Sequence, residues 1–142
     1  MNTAIIIATH GAAAQPLLDT TQMIVGHQEN VCAISFFPGE NVDSLVTKFE
    51  QAVQQMDLRD GLMFLVDIYA GSPFNAASLL AIKKENWDVV TGVNVPMLVN
   101  VFLEREGTED FDQLIEISKD MAREGVKSLK QSLKNNNAEE EL

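Results

Sequence analysis

A single cysteine in 142 residues leaves no partner for an internal disulfide. Cys32, at the start of an apolar run, reads as a small buried side chain. Two histidines and that one cysteine are too few for a Cys/His metal cluster, so no metal and no cofactor are expected. Basic residues are scarce as well: 10 Lys and Arg stand against 21 Asp and Glu, a net charge of −11. Such a balance argues against nucleic acid, whose phosphate backbone needs a basic face. It allows a partner with a basic docking surface. Apolar runs long enough to span a bilayer are missing. Residues 1–8 carry neither the basic start nor the small-residue cleavage site of a secretory signal. The expectation is a soluble, cytoplasmic protein. With 46% hydrophobic and 22% charged residues the chain is not disordered, and its length suits one domain with a substantial core.

What is present begins with Ala4-Ile5-Ile6-Ile7-Ala8-Thr9-His10-Gly11, a continuous apolar run ending in a histidine and a glycine. Such a run suits a central parallel strand buried on both faces. Strand and helix signals then alternate. Residues 12–25 read as a helix with Leu17, Leu18, Ile24 and Val25 apolar and Gly26 as its stop. Val31–Phe36 reads as the second strand, closed by the turn Phe37-Pro38-Gly39-Glu40. Asn41 is placed to cap a helix in which Val42, Leu45, Val46, Phe49, Val53 and Met56 form one stripe. Leu62–Asp67 is a third strand, Pro73 to about Lys84 a helix, and Val89–Val93 a fourth strand. Asn94-Val95-Pro96 leads as a loop into a short helix over Met97–Leu103. A polar turn spans Glu104–Asp110, and a last helix carries Phe111, Leu114, Ile115, Ser118, Met121 and Ala122. Val126–Lys130 alternates apolar and polar residues like a short edge strand, and the end of the chain reads as a frayed polar tail. The pattern predicts a single α/β domain with a parallel sheet and right-handed crossovers.

The second informative stretch is Asp67-Ile68-Tyr69-Ala70-Gly71-Ser72-Pro73-Phe74-Asn75. In the doubly wound order 2-1-3-4, strands one and three are neighbours, and ligands collect at their carboxyl ends. His10 and Asp67 then stand side by side. Ser72-Pro73 predicts a helix start, with the serine as cap, whose free N–H groups form an anion site. A carboxylate on one ring nitrogen fixes the tautomer and presents the other as a nucleophile. A helix N-terminus beside it suits a transferred phosphoryl group. Blander readings exist for each part. His10 could hydrogen-bond to a loop, Asp67 could cap one, and Ser-Pro starts many ordinary helices. Ser72 as the nucleophile of a Ser-His-Asp hydrolase is the sharper rival, but the Gly-x-Ser-x-Gly elbow is missing. His27 reads as a surface turn residue.

Five motifs, in this order, carry a resemblance. They are Thr9-His10-Gly11, Pro38-Gly39-Glu40-Asn41, Phe64-Leu65-Val66-Asp67, Gly71-Ser72-Pro73-Phe74-Asn75-Ala76-Ala77-Ser78 and Gly92-Val93-Asn94-Val95-Pro96-Met97. Residues 1–130 resemble the enzyme IIA component of the bacterial phosphotransferase system, mannose/fructose/sorbose class, with 131–142 as a flexible tail. The resemblance implies a three-layer α/β domain of four parallel strands in the order 2-1-3-4. It adds an antiparallel edge strand near Val126–Lys130, exchanged between the subunits of a homodimer. It implies that His10 is phosphorylated by the phosphocarrier HPr and hands the group to enzyme IIB, with Asp67 orienting His10. Ser72, Gly71 and Thr9 would bind the phosphate. The membrane subunits IIC and IID would choose the sugar, which this chain never touches. Many members read Asp-Thr-Trp-Gly-Gly-Ser-Pro where this chain has Ile68, Tyr69 and Ala70, so a loop hydroxyl is lost and a glycine is replaced. No Ala/Pro-rich linker to a fused enzyme IIB follows, which suggests a separate subunit. Two rivals are a dihydroxyacetone kinase subunit, whose members lack the Thr-His-Gly and Gly-Ser-Pro-Phe-Asn set, and a regulatory relative that uses phosphorylation as a signal.

Overall fold

The apolar run at the start of the chain forms the central strand of a parallel sheet. The structure, a computed structural model, describes residues 1–140. In chain order it comprises β1 (Ala4–His10), α1 (Ala14–Val25), β2 (Val31–Phe36), α2 (Val42–Val53), β3 (Leu62–Val66) and α3 (Ser72–Ala81). β4 (Trp87–Val90), α4 (Val95–Glu104), α5 (Phe111–Glu124) and α6 (Leu129–Glu140) follow. The strand order is β2-β1-β3-β4, all pairs parallel, as the alternation of elements predicts.

Side chains alternate across β1 and β3, which divides the interior into two layers. Ile5, Ile7, Met63 and Leu65 pack under α1, α4 and α5 with Leu98, Val101 and Leu114. Ala4, Ile6, Ala8, Leu62, Phe64 and Val66 pack under α2 and α3 with Leu45, Phe49, Ala76 and Ala77. Both faces of β1 are therefore dry, which explains a run with no polar alternation. Leu45 and Phe49 of the predicted α2 stripe are fully buried, and Val42, Val46, Val53 and Met56 pack around them.

Asn41 caps α2 as expected, its side chain accepting from Ser44 N–H while the Ser44 hydroxyl accepts from Asn41 N–H. Other details differ from the sequence reading. Asn94 is the cap of α4 rather than loop, accepting from Met97 N–H, with Val95 and Pro96 in the first turn. Ile24 is exposed, and the buried face of α1 runs through Ala14, Leu18 and Thr21, whose hydroxyl donates to the Leu17 carbonyl. Arg105, expected in a polar turn, is buried. It donates to Thr3 O, Gln28 Oε1 and Glu29 O at 3.1, 3.1 and 2.8 Å, and its guanidinium lies over the Phe102 ring. Those carbonyls belong to the amino-terminal end of the sheet, opposite the end that holds His10, so Arg105 is a structural lock.

The fifth strand expected near Val126–Lys130 is not formed in the single chain. Val126–Ser128 lie outside regular elements, and Leu129–Glu140 is helical. A strand needs another edge to satisfy its backbone, whereas a helix satisfies its own, and Leu, Lys, Gln and Ala are strong helix formers. Ser128 serves as the start, its hydroxyl accepting from Gln131 N–H. The last two residues of the expected tail lie outside the described residues.

Candidate active site

β1 and β3 end side by side, and their last residues build the site. His10 is the final residue of β1, and Asp67 follows directly on β3. Asp67 Oδ2 accepts twice from His10: from the backbone N–H at 2.9 Å and from ring Nδ1 at 2.8 Å. Oδ1 accepts from Ile68 N–H at 2.9 Å. Burial by itself pushes the Asp67 carboxyl up, but the His10 backbone and ring donors and the Ile68 amide outweigh it, and the group is held below its usual range. Asp67 is therefore a carboxylate at neutral pH. An anionic acceptor at Nδ1 places the ring proton there and leaves Nε2 with its lone pair free.

The ring stands between two walls. On the β2 side the Phe36 ring meets it edge-on, with centroids 5.8 Å apart. On the β3 side it approaches the start of α3 so closely that a Cβ on Gly71 would lie 2.8 Å from His10 Cε1. Gly71, not Ser72, is the N-cap of α3. Its backbone is extended and no side chain caps the helix. Ser72 and Pro73 take the first two helical positions. The expectation of a serine cap is thus corrected by one residue. A helix that starts at Gly71 presents unpaired N–H groups and its positive end to the imidazole.

The loop between Asp67 and Gly71 holds Ala70 at φ 64°, a left-handed conformation that favours glycine. Asn75 Nδ2 donates to the Ala70 carbonyl, and Tyr69 stacks on Phe74 with ring centroids 4.6 Å apart. Ile68 and Tyr69 are exposed. Of the other residues singled out, Thr9 is not brought to this face. Neighbouring strand residues point to opposite sides, and Thr9 Oγ1 is buried on the far side with no hydrogen-bond partner. His27 is exposed and pairs with Glu29.

Sequence reasoning missed the corner after β2. Gly11 exchanges two backbone hydrogen bonds with Phe36, N–H to O at 2.7 Å and O to N–H at 3.2 Å. Glu40 Oε1 accepts from Phe37 N–H at 2.8 Å, and its Oε2 pairs with Lys48 at 2.6 Å. The signal was present in Phe37-Pro38-Gly39-Glu40, which reads as a turn, but the partner is eight residues further on.

A histidine bonded through Nδ1 to a carboxylate, beside a helix N-terminus at the carboxyl edge of a parallel sheet, forms the centre of the site. The family of PTS system fructose IIA components, EIIA-man, matches residues 4–119. The mannose-specific EIIAB component of Escherichia coli K12 is 47% identical over 130 residues, 92% of this chain and 40% of that protein. The fructose-specific EIIA component of Bacillus subtilis is 36% identical over 103 residues, covering 72% of this chain and 70% of that one. The crystal structure of phosphotransferase system component EIIA from Streptococcus agalactiae superposes with a TM-score of 0.82 at 27% identity, over 91% of this chain and 98% of that chain. The chain belongs to the IIA components of sugar phosphotransferase systems, in the mannose/fructose/sorbose family. It spans 40% of the length of the mannose-specific relatives it matches. Among the described residues no helix is long and apolar enough to cross a membrane.

Proposed function

We propose that this chain is a phosphoryl carrier, taking phosphate from phosphorylated HPr on His10 and passing it to an enzyme IIB. The observation that carries the reading is the 2.8 Å bond between His10 Nδ1 and Asp67, which leaves Nε2 free beside the start of α3. In the forward step the Nε2 lone pair attacks phosphorus, an N–P bond forms, and the bond from phosphorus to the donor's nitrogen breaks with its electron pair. The Nδ1 proton stays in place, and the imidazolium that results is stabilised by the Asp67 carboxylate. The α3 N-terminus, with Gly71 and Ser72, faces the negative phosphoryl oxygens, a charge stabilisation of the order of 0.3–1 kcal/mol or more when partly buried. Transfer to enzyme IIB reverses these bond changes on a new acceptor. No electron is exchanged, and positioning and charge supply the catalysis.

The test is direct. Incubated with phosphorylated HPr, the protein should gain one acid-labile, alkali-stable phosphoryl group per chain, and His10→Ala should gain none. Label on His10→Ala at the wild-type level would refute the assignment. A homodimer is part of the same proposal. Among the described residues β4 pairs only with β3, which leaves its outer edge open, and a groove of about 890 Å³ lined by Asp88, Val90, Ile115, Lys119 and Val126 runs along it. A strand formed by residues 126–130 of a second copy would pair with that edge, as the family resemblance implies.

A further inference from the structure

We propose that Lys48 and Glu40 are positioning residues for His10, acting through the corner between β2 and α2; the inference rests on reading His10 as the phosphate acceptor. Lys48 lies in α2, far from the reacting nitrogen in sequence, yet its ammonium is fully engaged at this corner. It pairs with Glu40 at 2.6 Å, donates to the Ser35 carbonyl at 2.9 Å, and stands 5.9 Å from the centre of the Phe37 ring. Glu40 in turn accepts the Phe37 backbone N–H. One cation and one carboxylate thus tie residues 35, 37 and 40 together, bracketing Phe36.

Phe36 is the residue that meets His10. Its ring lies edge-on to the imidazole, and its backbone exchanges two hydrogen bonds with Gly11, the residue after His10. The imidazole is therefore located from two sides by different means. Asp67 and Gly71 hold it from the β3 side, and Phe36 holds it from the β2 side. The β2 wall is only as firm as the turn that follows it, which contains Pro38 and a Gly39 at φ 91° and has few other side-chain ties. The partly exposed Lys48–Glu40 pair adds little to stability as an isolated ion pair. Its hydrogen bonds to the backbone on both sides of Phe36 give it a geometric role instead.

The experiment uses the full chain with phosphorylated HPr as donor. Three variants are made: Lys48→Met, Lys48→Arg and Glu40→Gln, which keeps an acceptor for Phe37 N–H and removes the charge. Transfer is measured at saturating donor, alongside the ring nitrogen and carbon resonances of His10 and thermal unfolding. Lys48→Met should slow saturated transfer by about tenfold, since a displacement of 1 Å can cost about a hundredfold. It should also move the His10 ring resonances away from a single Nδ1–H form, and Lys48→Arg should restore most of both. Glu40→Gln should move both in the same direction, and it decides the matter if Lys48→Met fails to fold. Unchanged saturated transfer with unchanged ring resonances would overturn the proposal, as would an effect confined to the donor concentration needed, which marks a docking residue. If the wild-type chain accepted no phosphate, the functional reading would fail, while the ring resonances would still judge the positioning role.

Discussion

Replacing Gly71 with alanine should leave the fold in place and disable the site. The backbone at Gly71 is extended, at φ −78° and ψ 173°, which any residue adopts, so the added methyl brings no conformational strain. Its cost is purely steric. The new Cβ would lie 2.8 Å from His10 Cε1 and 3.1 Å from Ile68 Cγ1, where ordinary contact begins near 3.4 Å. Subtracting 2.8 from 3.4 gives a displacement of about 0.6 Å that the imidazole must absorb. Cε1 is bonded to both ring nitrogens, so neither keeps its position. The Nδ1–Asp67 bond, now 2.8 Å, is stretched toward 3.4 Å, beyond the useful range for such a bond, which ends near 3.2 Å.

The ring is half exposed and can swing outward, so the destabilisation should fall at or below the lower end of the 1–3 kcal/mol usual for overpacking. Phosphoryl acceptance should fall by about 10- to 100-fold, as expected for a misplacement of this size. Rapid-quench measurement of phosphate taken from phosphorylated HPr, beside calorimetric unfolding, separates the two effects. Wild-type transfer in a folded Gly71→Ala protein would refute the idea that the glycine makes room for the nucleophile. Collapse of the fold would show that its role is packing instead.

Asp67→Ala should fold and slow transfer by about 100-fold, through loss of the fixed tautomer and ring orientation, checked by the same quench assay. Because the Asp67 carboxyl is held low in the folded state, its stabilising effect is present above the unfolded pKa and lost as pH falls through the lower, folded value. Acid titration followed by unfolding should therefore show a shallower loss of stability in Asp67→Ala than in wild type. Ala70→Gly should stabilise slightly, by ~0.5 kcal/mol, because about 1 kcal/mol of left-handed strain is relieved and part is returned as unfolded-chain entropy. Arg105→Met should lower stability by ~2 kcal/mol, measured by denaturant unfolding, since the buried Thr3 carbonyl and two partly buried acceptors lose a charged donor. Truncation after Glu124 should abolish dimerisation in sedimentation experiments, and a truncated chain that remains a dimer would remove residues 126–130 as its fastening.

The fold and the centre of the site were legible because they rest on local patterns with a clear period or a clear place. An apolar run without polar alternation suits a strand covered on both faces, and β1 is that strand. Asp67 could be placed next to His10 because the order 2-1-3-4 makes their strands neighbours, a deduction from topology. The signals that failed were those in which one residue decides between equivalent positions. Ser72 and Gly71 are both acceptable caps, and the helix starts one residue earlier than its serine suggests, with the imidazole in the space that a cap side chain at 71 would need. Lys48 and Arg105 were invisible for a different reason. A cation on a helix or in a turn reads as solvated surface, and only the tertiary structure reveals that backbone carbonyls converge on it.

The segment after Gly125 shows why one stretch of sequence can support two structures. Val126-Lys127-Ser128-Leu129-Lys130 alternates like a strand, and Ser128-Leu129-Lys130-Gln131 opens like a capped helix. Neither pattern is stronger, so the availability of partners decides. In the single chain the segment does not pair with the β4 edge, and the helix, which closes its own hydrogen bonds, forms instead. Val126, Leu129 and Leu133 remain exposed in that state, so the helix leaves apolar surface in water. Meanwhile the outer edge of β4 keeps unpaired backbone groups beside an open groove. Both deficits would be met at once if the segment of one copy paired with the β4 edge of another. The choice between helix and strand would then depend on protein concentration, because pairing between two copies requires association.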